Sequence, residues 1–208
     1  MDGTLIDSAR GVTSAVAHAL CCFGIEPPAD LAQLNKFVGL PIRDAFMEYY
    51  GFGDAKAAEA LIRYREKFST EGIYDNSAIP GIRELLTRLK REGYELIVAT
   101  CKPEPFARMI LDRLGLLEFF VTVGGTEFSS GRRRKGDVLR YALQKRSIVD
   151  VARTAVIGDR CYDIQAAVEA GAASIGVLWG YGTREELEAA GAAHIVSTVA
   201  ELDELLRV

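Results

Sequence analysis

The sequence predicts an α/β fold: a mostly parallel sheet interrupted near its start by a block of helices. Two observations predict it. Beyond about residue 80, short apolar runs alternate with amphipathic helical stripes, and Gly or Pro stands at many of the junctions. Residues 9–78, by contrast, carry helical patterns and no convincing strand. Strands separated by helices need crossover connections, which make neighbouring strands parallel and cover the sheet on both faces. A chain of 208 residues has room for one such domain with an insertion. The expected division is a core of residues 1–8 plus 79–208 and a helical cap of residues 9–78. Flexible crossings are expected at Ser8 to Gly11 and Ser77 to Gly81.

Within the cap, Gly11 to Phe23, Pro41 to Tyr50 and Asp54 to Phe68 read as helices. Pro80-Gly81 then starts a helix whose apolar stripe is Ile82, Leu85, Leu86 and Leu89, and Gly93 ends it. YELIVAT, Tyr94 to Thr100, reads as a buried strand. Lys102-Pro103 opens the next helix, with Phe106, Met109, Ile110 and Leu114 on one face. FFVTVGG, Phe119 to Gly125, is a second strand. Lys135 to Lys145 is helical, with Val138, Leu139, Ala142 and Leu143 inward. TAVIGD, Thr154 to Asp159, is a third strand, and an Ala-rich helix follows to about Ala170. ASIGVLWG, Ala173 to Gly180, is a fourth. His194 to Val196 is a short last strand before a helix at ELDELL.

Composition excludes several function classes. A net charge of −4 gives no electrostatic reason to expect a nucleic-acid partner. In the basic run Arg132 to Lys135, the three arginines read as a solvated loop. Cys21, Cys22, Cys101 and Cys161 form no CxxC pair, which fits a reducing compartment. His18, Cys21 and Cys22 share a helix face but lack a fourth ligand, so packing explains them better than zinc. No run reaches the ~20 apolar residues of a membrane span. No basic-then-apolar leader opens the chain, so a cytoplasmic protein is expected.

In open α/β sheets, ligands bind beyond the carboxyl ends of the strands. Four pieces of sequence fall at or near such ends. They are Asp2-Gly3-Thr4-Leu5 with Asp7-Ser8, Thr100 with Cys101-Lys102-Pro103, Lys135 opening a helix, and Gly158-Asp159-Arg160-Cys161-Tyr162-Asp163. Singly, each has an ordinary explanation as a turn, a strand end or a helix cap. Jointly and in this order they are far more specific.

The chain resembles the haloacid dehalogenase superfamily, in its phosphoglycolate-phosphatase-like branch with a helical cap. The likeness runs through MDGTLIDS, FVGLPIRDAF, IVATCKPEPFA, KGDVLRYAL, VIGDRCYDIQAA and GVLWGYGTREEL. It implies a Rossmann-like core and a Mg²⁺-dependent phosphatase acting on a small phosphomonoester, phosphoglycolate or a related metabolite, through an aspartyl-phosphate. By resemblance, Asp2 is the general acid and base, Thr100 hydrogen-bonds a phosphoryl oxygen, and Lys135 neutralises the phosphate. Asp159 binds Mg²⁺ directly and Asp163 supports it directly or through water, with Asp2 completing the acidic set. Gly3, Thr4, Cys101 and Lys102 contribute phosphate-binding donors. Cap residues Lys36 to Arg43 are candidates for specificity, and closure of the cap would exclude water.

The family motif places the attacking Asp immediately before Met1, outside the sequence given. The expectation is therefore an internal start site, with an apolar strand ending in Asp upstream. The alternative is a phosphate-binding remnant without turnover. A phosphomutase would share the core. A phosphonate hydrolase would need an imine-forming cap lysine, for which Lys36 is the nearest candidate. A dehalogenase would not need the full Mg²⁺ set. The expected partner is a small phosphate ester, with no nucleic acid and no membrane, and the expected state is a monomer or homodimer.

Overall fold

The computed structural model describes residues 1–127, 132, 134–147 and 150–207. They form two compact units: Met1–Asp7 with Ala78–Val208, and Ser8–Ser77. Strand β1 (Ile6–Asp7) is followed by helices α1 (Ala9–Cys22), α2 (Ile42–Tyr50) and α3 (Asp54–Thr70), then by β2 (Ser77–Ala78), which ladders with β1. In the helical unit, α1 buries Val12, Ala15, Val16, Ala19 and Leu20. Helix α3 buries Ala57, Ala60, Tyr64 and Phe68, a stripe at helical spacing. Gly11 lies so close to Gly72 that a Cβ there would come within 2.2 Å of the Gly72 carbonyl oxygen. Phe37, Phe46 and Phe52 pack ring on ring, Phe37 edge-on to Phe46 at 5.1 Å and Phe46 stacked on Phe52 at 5.6 Å.

The other unit alternates strand and helix. It holds α4 (Ile82–Arg91), β3 (Ile97–Pro103), α5 (Glu104–Arg113), β4 (Thr122–Thr126), α6 (Lys135–Lys145) and β5 (Ala155–Gly158). It continues through α7 (Cys161–Ala170), β6 (Ala173–Val177), α8 (Arg184–Ala189), β7 (His194–Val196) and α9 (Val199–Leu205). Strands β3 and β4 pair in parallel, as do β5, β6 and β7 in that order. The fold is α/β with parallel strands. The expected single sheet is laddered in two parts: among the described residues no ladder joins β3 to β5. Leu139, Leu143, Val156, Ala166 and Ala167 form a core cluster between α6, α7 and β5. Among the described residues no helix is long and apolar enough to cross a membrane.

Helix α6 and strand β7 have the bounds that the sequence predicts. Elsewhere tertiary contacts move the boundaries. The strand expected at Tyr94 to Thr100 runs instead from Ile97 to Pro103, because Pro103 pairs with Thr126 after an irregularity in the ladder. Thr126 Oγ1 also donates to the Cys101 carbonyl at 3.0 Å. Lys102-Pro103 is thus strand, and α5 begins at Glu104 with Pro105 in its first turn, where a missing N–H costs nothing. The buried face of α5 is Ala107, Ile110 and Leu111, and Met109, expected inside, is 48% exposed. Phe119 ends a 3₁₀ turn ahead of β4.

Arg132 departs from the solvated loop expected of the basic run. Its Nε donates to the Gly125 carbonyl at 3.2 Å, it lies 2.7 Å from a Glu127 carboxylate oxygen, and its guanidinium covers the Tyr141 ring. Arg133 lies outside the described residues. Cys21 and Cys22 are exposed, with His18 Nε2 3.8 Å from Cys22 Sγ.

Candidate active site

The site is built entirely within the sheet unit, from the turns that leave its strands. The opening turn is wound tightly: the N–H groups of Thr4, Leu5 and Ile6 all donate to the Met1 carbonyl, and Gly3 N–H donates to that of Ile6. Gly3 sits at φ +69°, a conformation that glycine adopts without strain. A Cβ at Gly3 would meet Asp159 Oδ2 at 2.1 Å, so the bare backbone is what lets the turn approach that carboxylate. Thr4 Oγ1 then donates to Asp159 Oδ1 at 3.0 Å, across 155 residues of sequence.

Asp159 follows the last residue of β5 and is 1% exposed. Its other oxygen accepts from Tyr181 N–H at 3.0 Å. Gly180 packs on the same carboxylate, with room for no side chain. Burial, and then the charge of Asp163, push the Asp159 carboxyl up to about 6, against the pull of the Tyr181 and Thr4 hydrogen bonds.

Asp163 sits in the first turn of α7. Its Oδ2 accepts from Arg160 N–H at 3.1 Å, so it caps the helix as a plain structural reading predicts. Its Oδ1 faces Lys135 Nζ at 2.6 Å. Burial, the largest single influence, would raise its pKa, but Lys135, the amino terminus and the Arg160 N–H together outweigh it and hold the carboxyl below the usual range. Lys135, the first residue of α6, also donates to the Ala99 carbonyl of β3 at 2.7 Å. Burial works against its charge, yet Asp163 and the neighbouring anions prevail, and the ammonium is held above its ordinary value. It is a fixed cation.

On β3, next to Ala99, Thr100 is buried, and its Oγ1 accepts from Lys102 N–H at 3.1 Å, a bond that does not use the hydroxyl hydrogen. The Lys102 ammonium lies 3.1 Å from Asp2 Oδ1, with both side chains under a tenth exposed. The Cys101 thiol is pushed up to about 11, chiefly by burial, and is therefore no thiolate at neutral pH.

The predicted residues thus join through short contacts: Thr4 with Asp159, Asp163 with Lys135, Lys135 with the strand that carries Thr100, and Asp2 with Lys102. Among the described residues no three or more His, Cys, Asp or Glu side chains are grouped to hold a metal ion. Asp2, Asp159 and Asp163 do not form a three-carboxylate cluster. Asp2 faces Lys102 and Asp163 faces Lys135.

Sequence reasoning missed three supporting residues. Trp179 Nε1 donates to the Thr4 carbonyl at 3.1 Å, and Tyr181 supplies both its N–H to Asp159 and its hydroxyl to Asp7, at 2.7 Å. Glu186 accepts from Cys161 N–H at 2.8 Å and from Arg160 Nε at 2.9 Å, which steadies the start of α7. The Asp2–Lys102 pair was also unforeseen. The stretch GVLWGYGTREEL was the available signal, because Trp179, Tyr181 and Glu186 all lie in it.

The family profile for haloacid dehalogenase-like hydrolases matches residues 1–177, the span that carries Asp2, Thr100, Lys135, Asp159 and Asp163. The chain belongs to that family. It is 39% identical over 206 residues to a 5'-nucleotidase of Pseudomonas aeruginosa, covering 99% of this chain and 92% of the relative. It is 38% identical to the tyrosine-protein kinase PtkA of Mycobacterium tuberculosis, over 99% of this chain and 69% of that one. A phosphoglycolate phosphatase of Pseudomonas putida is 27% identical, over 97% and 76%. The crystal structure of a predicted phosphatase from Clostridium acetobutylicum superposes with a TM-score of 0.95 at 42% identity, covering 99% of this chain and 94% of that one. This haloacid dehalogenase-like chain stands in the phosphoglycolate-phosphatase-like branch, among phosphoric monoester hydrolases.

Proposed function

We propose that the protein is a Mg²⁺-dependent phosphatase of a small phosphomonoester, in the range spanned by phosphoglycolate and nucleoside monophosphates. One observation carries the reading. Four motifs distant in sequence are linked by buried polar contacts, with a fixed cation at Lys135 and two buried carboxylates, Asp159 and Asp163. Relatives named 5'-nucleotidase and phosphoglycolate phosphatase support the substrate class.

The donor chemistry suits Mg²⁺. Asp159 and Asp163 offer only oxygen, and the charge of Asp163 is already costly to Asp159. A hard divalent ion relieves that cost, and Mg²⁺ is usually held by one or two carboxylates with water and substrate phosphate. Asp159 and Asp163 would hold it, and when bound it screens the charge of the phosphoryl group from an anionic nucleophile.

The chain's own residues do the rest. Lys135, charged and immobilised by Ala99 and Asp163, balances the phosphoryl oxygens without reorganising. Thr100 donates its hydroxyl hydrogen to one of them. The N–H groups of the opening turn are spent on Met1 and Ile6, so that turn serves to hold Asp159 through Thr4. Asp2, oriented by Lys102, exchanges the proton with the leaving oxygen and then with water.

The test is phosphate release from a panel including phosphoglycolate and nucleoside 5'-monophosphates. It uses the chain as given and a form carrying the coding residues upstream of Met1, with Mg²⁺ or with EDTA. Turnover by the longer form, lost in Asp159→Asn and in EDTA, is the expected result. Phosphate binding without turnover in both forms, or full turnover by Asp159→Asn, refutes the reading.

A further inference from the structure

Beyond the candidate catalytic residues, the sheet unit has an open groove of about 1000 Å³ between α4 and the start of α9, lined mostly by exposed residues. Its lining shares no residue with the set Asp2, Thr100, Lys135, Asp159 and Asp163. Volumes near this size are typical of sites for small ligands or cofactors.

Its charges are lopsided. Arg83, Arg88, Arg91 and Arg207 line it against Glu84 and Asp203, an excess of two positive charges (four minus two) on a chain whose net charge is −4. Most of this charge is already engaged. Arg83 donates to the Leu114 and Gly115 carbonyls, Arg88 pairs with both Asp203 and Glu92, which lies just outside the lining and offsets one of the positive charges, and Arg207 also holds Asp203. Arg91 is exposed and makes no hydrogen bond or ion pair among the described residues. The Thr87 and Ser197 hydroxyls stand in the same wall. The remainder is largely apolar, with Ile79, Pro80, Leu85 and Val199 beside the indole of Trp179. Guanidinium groups recognise phosphate and carboxylate in a planar, bidentate manner, and an indole offers a stacking face. A ring-bearing dianion of about nucleotide size satisfies both halves of the lining.

Trp179 also ties the groove to the candidate catalytic residues. Its Nε1–H bonds the Thr4 carbonyl, and Thr4 Oγ1 bonds Asp159. Two residues later, Tyr181 N–H bonds the other oxygen of Asp159. A ligand that shifts the indole therefore pulls on both bonds that aim the Asp159 carboxylate. We propose that the groove between α4 and α9 is an effector site for a ring-bearing dianionic small molecule, whose occupancy is passed to Asp159 through Trp179.

Trp179 is the only tryptophan in the chain, so its fluorescence reads the groove directly. The full protein is titrated with the phosphonate analogue of adenosine monophosphate, whose C–P bond resists hydrolysis, and separately with adenosine and with inorganic phosphate. A saturable change with the phosphonate, at least tenfold weaker in Arg91→Glu and weaker for either fragment, is expected. Arg91→Glu should keep its kcat in the absence of probe, because Arg91 touches nothing catalytic. Saturating phosphonate should alter kcat, which simple competition at the catalytic residues would leave unchanged. In Trp179→Phe, calorimetry should still detect binding while the effect on kcat disappears. The absence of a fluorescence change, equal affinity in Arg91→Glu, or adenosine binding as tightly as the phosphonate would overturn the site. Binding that leaves kcat untouched would overturn its role as an effector site.

Discussion

Replacing Gly3 by alanine tests a close approach in the candidate site. At φ +69° any side chain carries the left-handed backbone penalty, about 1–2 kcal/mol. The added Cβ also falls 2.1 Å from Asp159 Oδ2, 2.6 Å from Asp159 Cγ and 2.8 Å from Tyr181 Cδ2. Overpacking of this kind costs a further 1–3 kcal/mol or so, giving a total of about 2–5 kcal/mol. Gly171 supplies the control. It lies in the same unit at φ +75°, and a Cβ there meets nothing within 4 Å, so Gly171→Ala carries the backbone penalty alone. Urea unfolding followed by Trp179 fluorescence compares the two variants in the unit that contains both. With a slope of about 2 kcal/mol/M, an extra ~2 kcal/mol lowers the midpoint of Gly3→Ala about 1 M below that of Gly171→Ala. Equal midpoints would show that the opening turn does not press on Asp159, and the geometry assigned to the site would fall with it.

Lys102→Met should destabilise the protein by about 3–5 kcal/mol in the same unfolding assay, because it strips a buried carboxylate of its cation. It should also lower kcat by misorienting Asp2. Glu186→Gln probes acid stability. Burial opposes the Glu186 charge, but the Cys161 N–H and Arg160 prevail and hold the carboxyl below its usual range. Its contribution is therefore full above the unfolded value of about 4.3 and fades as pH falls through the lowered folded value. At pH 7 the variant should be less stable by about 1 kcal/mol, screening by solvent included, and a difference that persists undiminished at pH 3 would contradict this account. Thr4→Val keeps the volume and removes the donor to Asp159, so stability should fall by about 1.5–3 kcal/mol in urea melts.

Much of this architecture is legible in the amino-acid sequence because local signals and tertiary demands agree. Lys135 to Lys145 has an unbroken inward stripe, and His194 to Val196 is a short run closed off by the Thr198 cap of the following helix, so both elements have their expected limits. Local rules fail where a distant partner decides. Nothing near Pro103 announces that Thr126 will draw it into a ladder, and proline ordinarily argues for the start of a helix. Met109 fits an apolar stripe by spacing, yet the helix begins at Glu104 and turns Ala107 and Leu111 inward instead. The motif residues were recognisable in type and order. Which cation would face which carboxylate was not, because Asp2 with Lys102 and Lys135 with Asp163 are pairings that only the folded chain brings together.

Lys135 reaches from α6 to a carbonyl of β3 on one side and to a carboxylate beyond β5 on the other, and these strands lie in separate ladders. A single ammonium therefore ties the ends of two strands together, in addition to the counter-charge role proposed for it. Mutagenesis at this position cannot isolate chemistry from assembly. Lost turnover in such a variant must be weighed against proteolytic nicking or early melting before it is credited to catalysis.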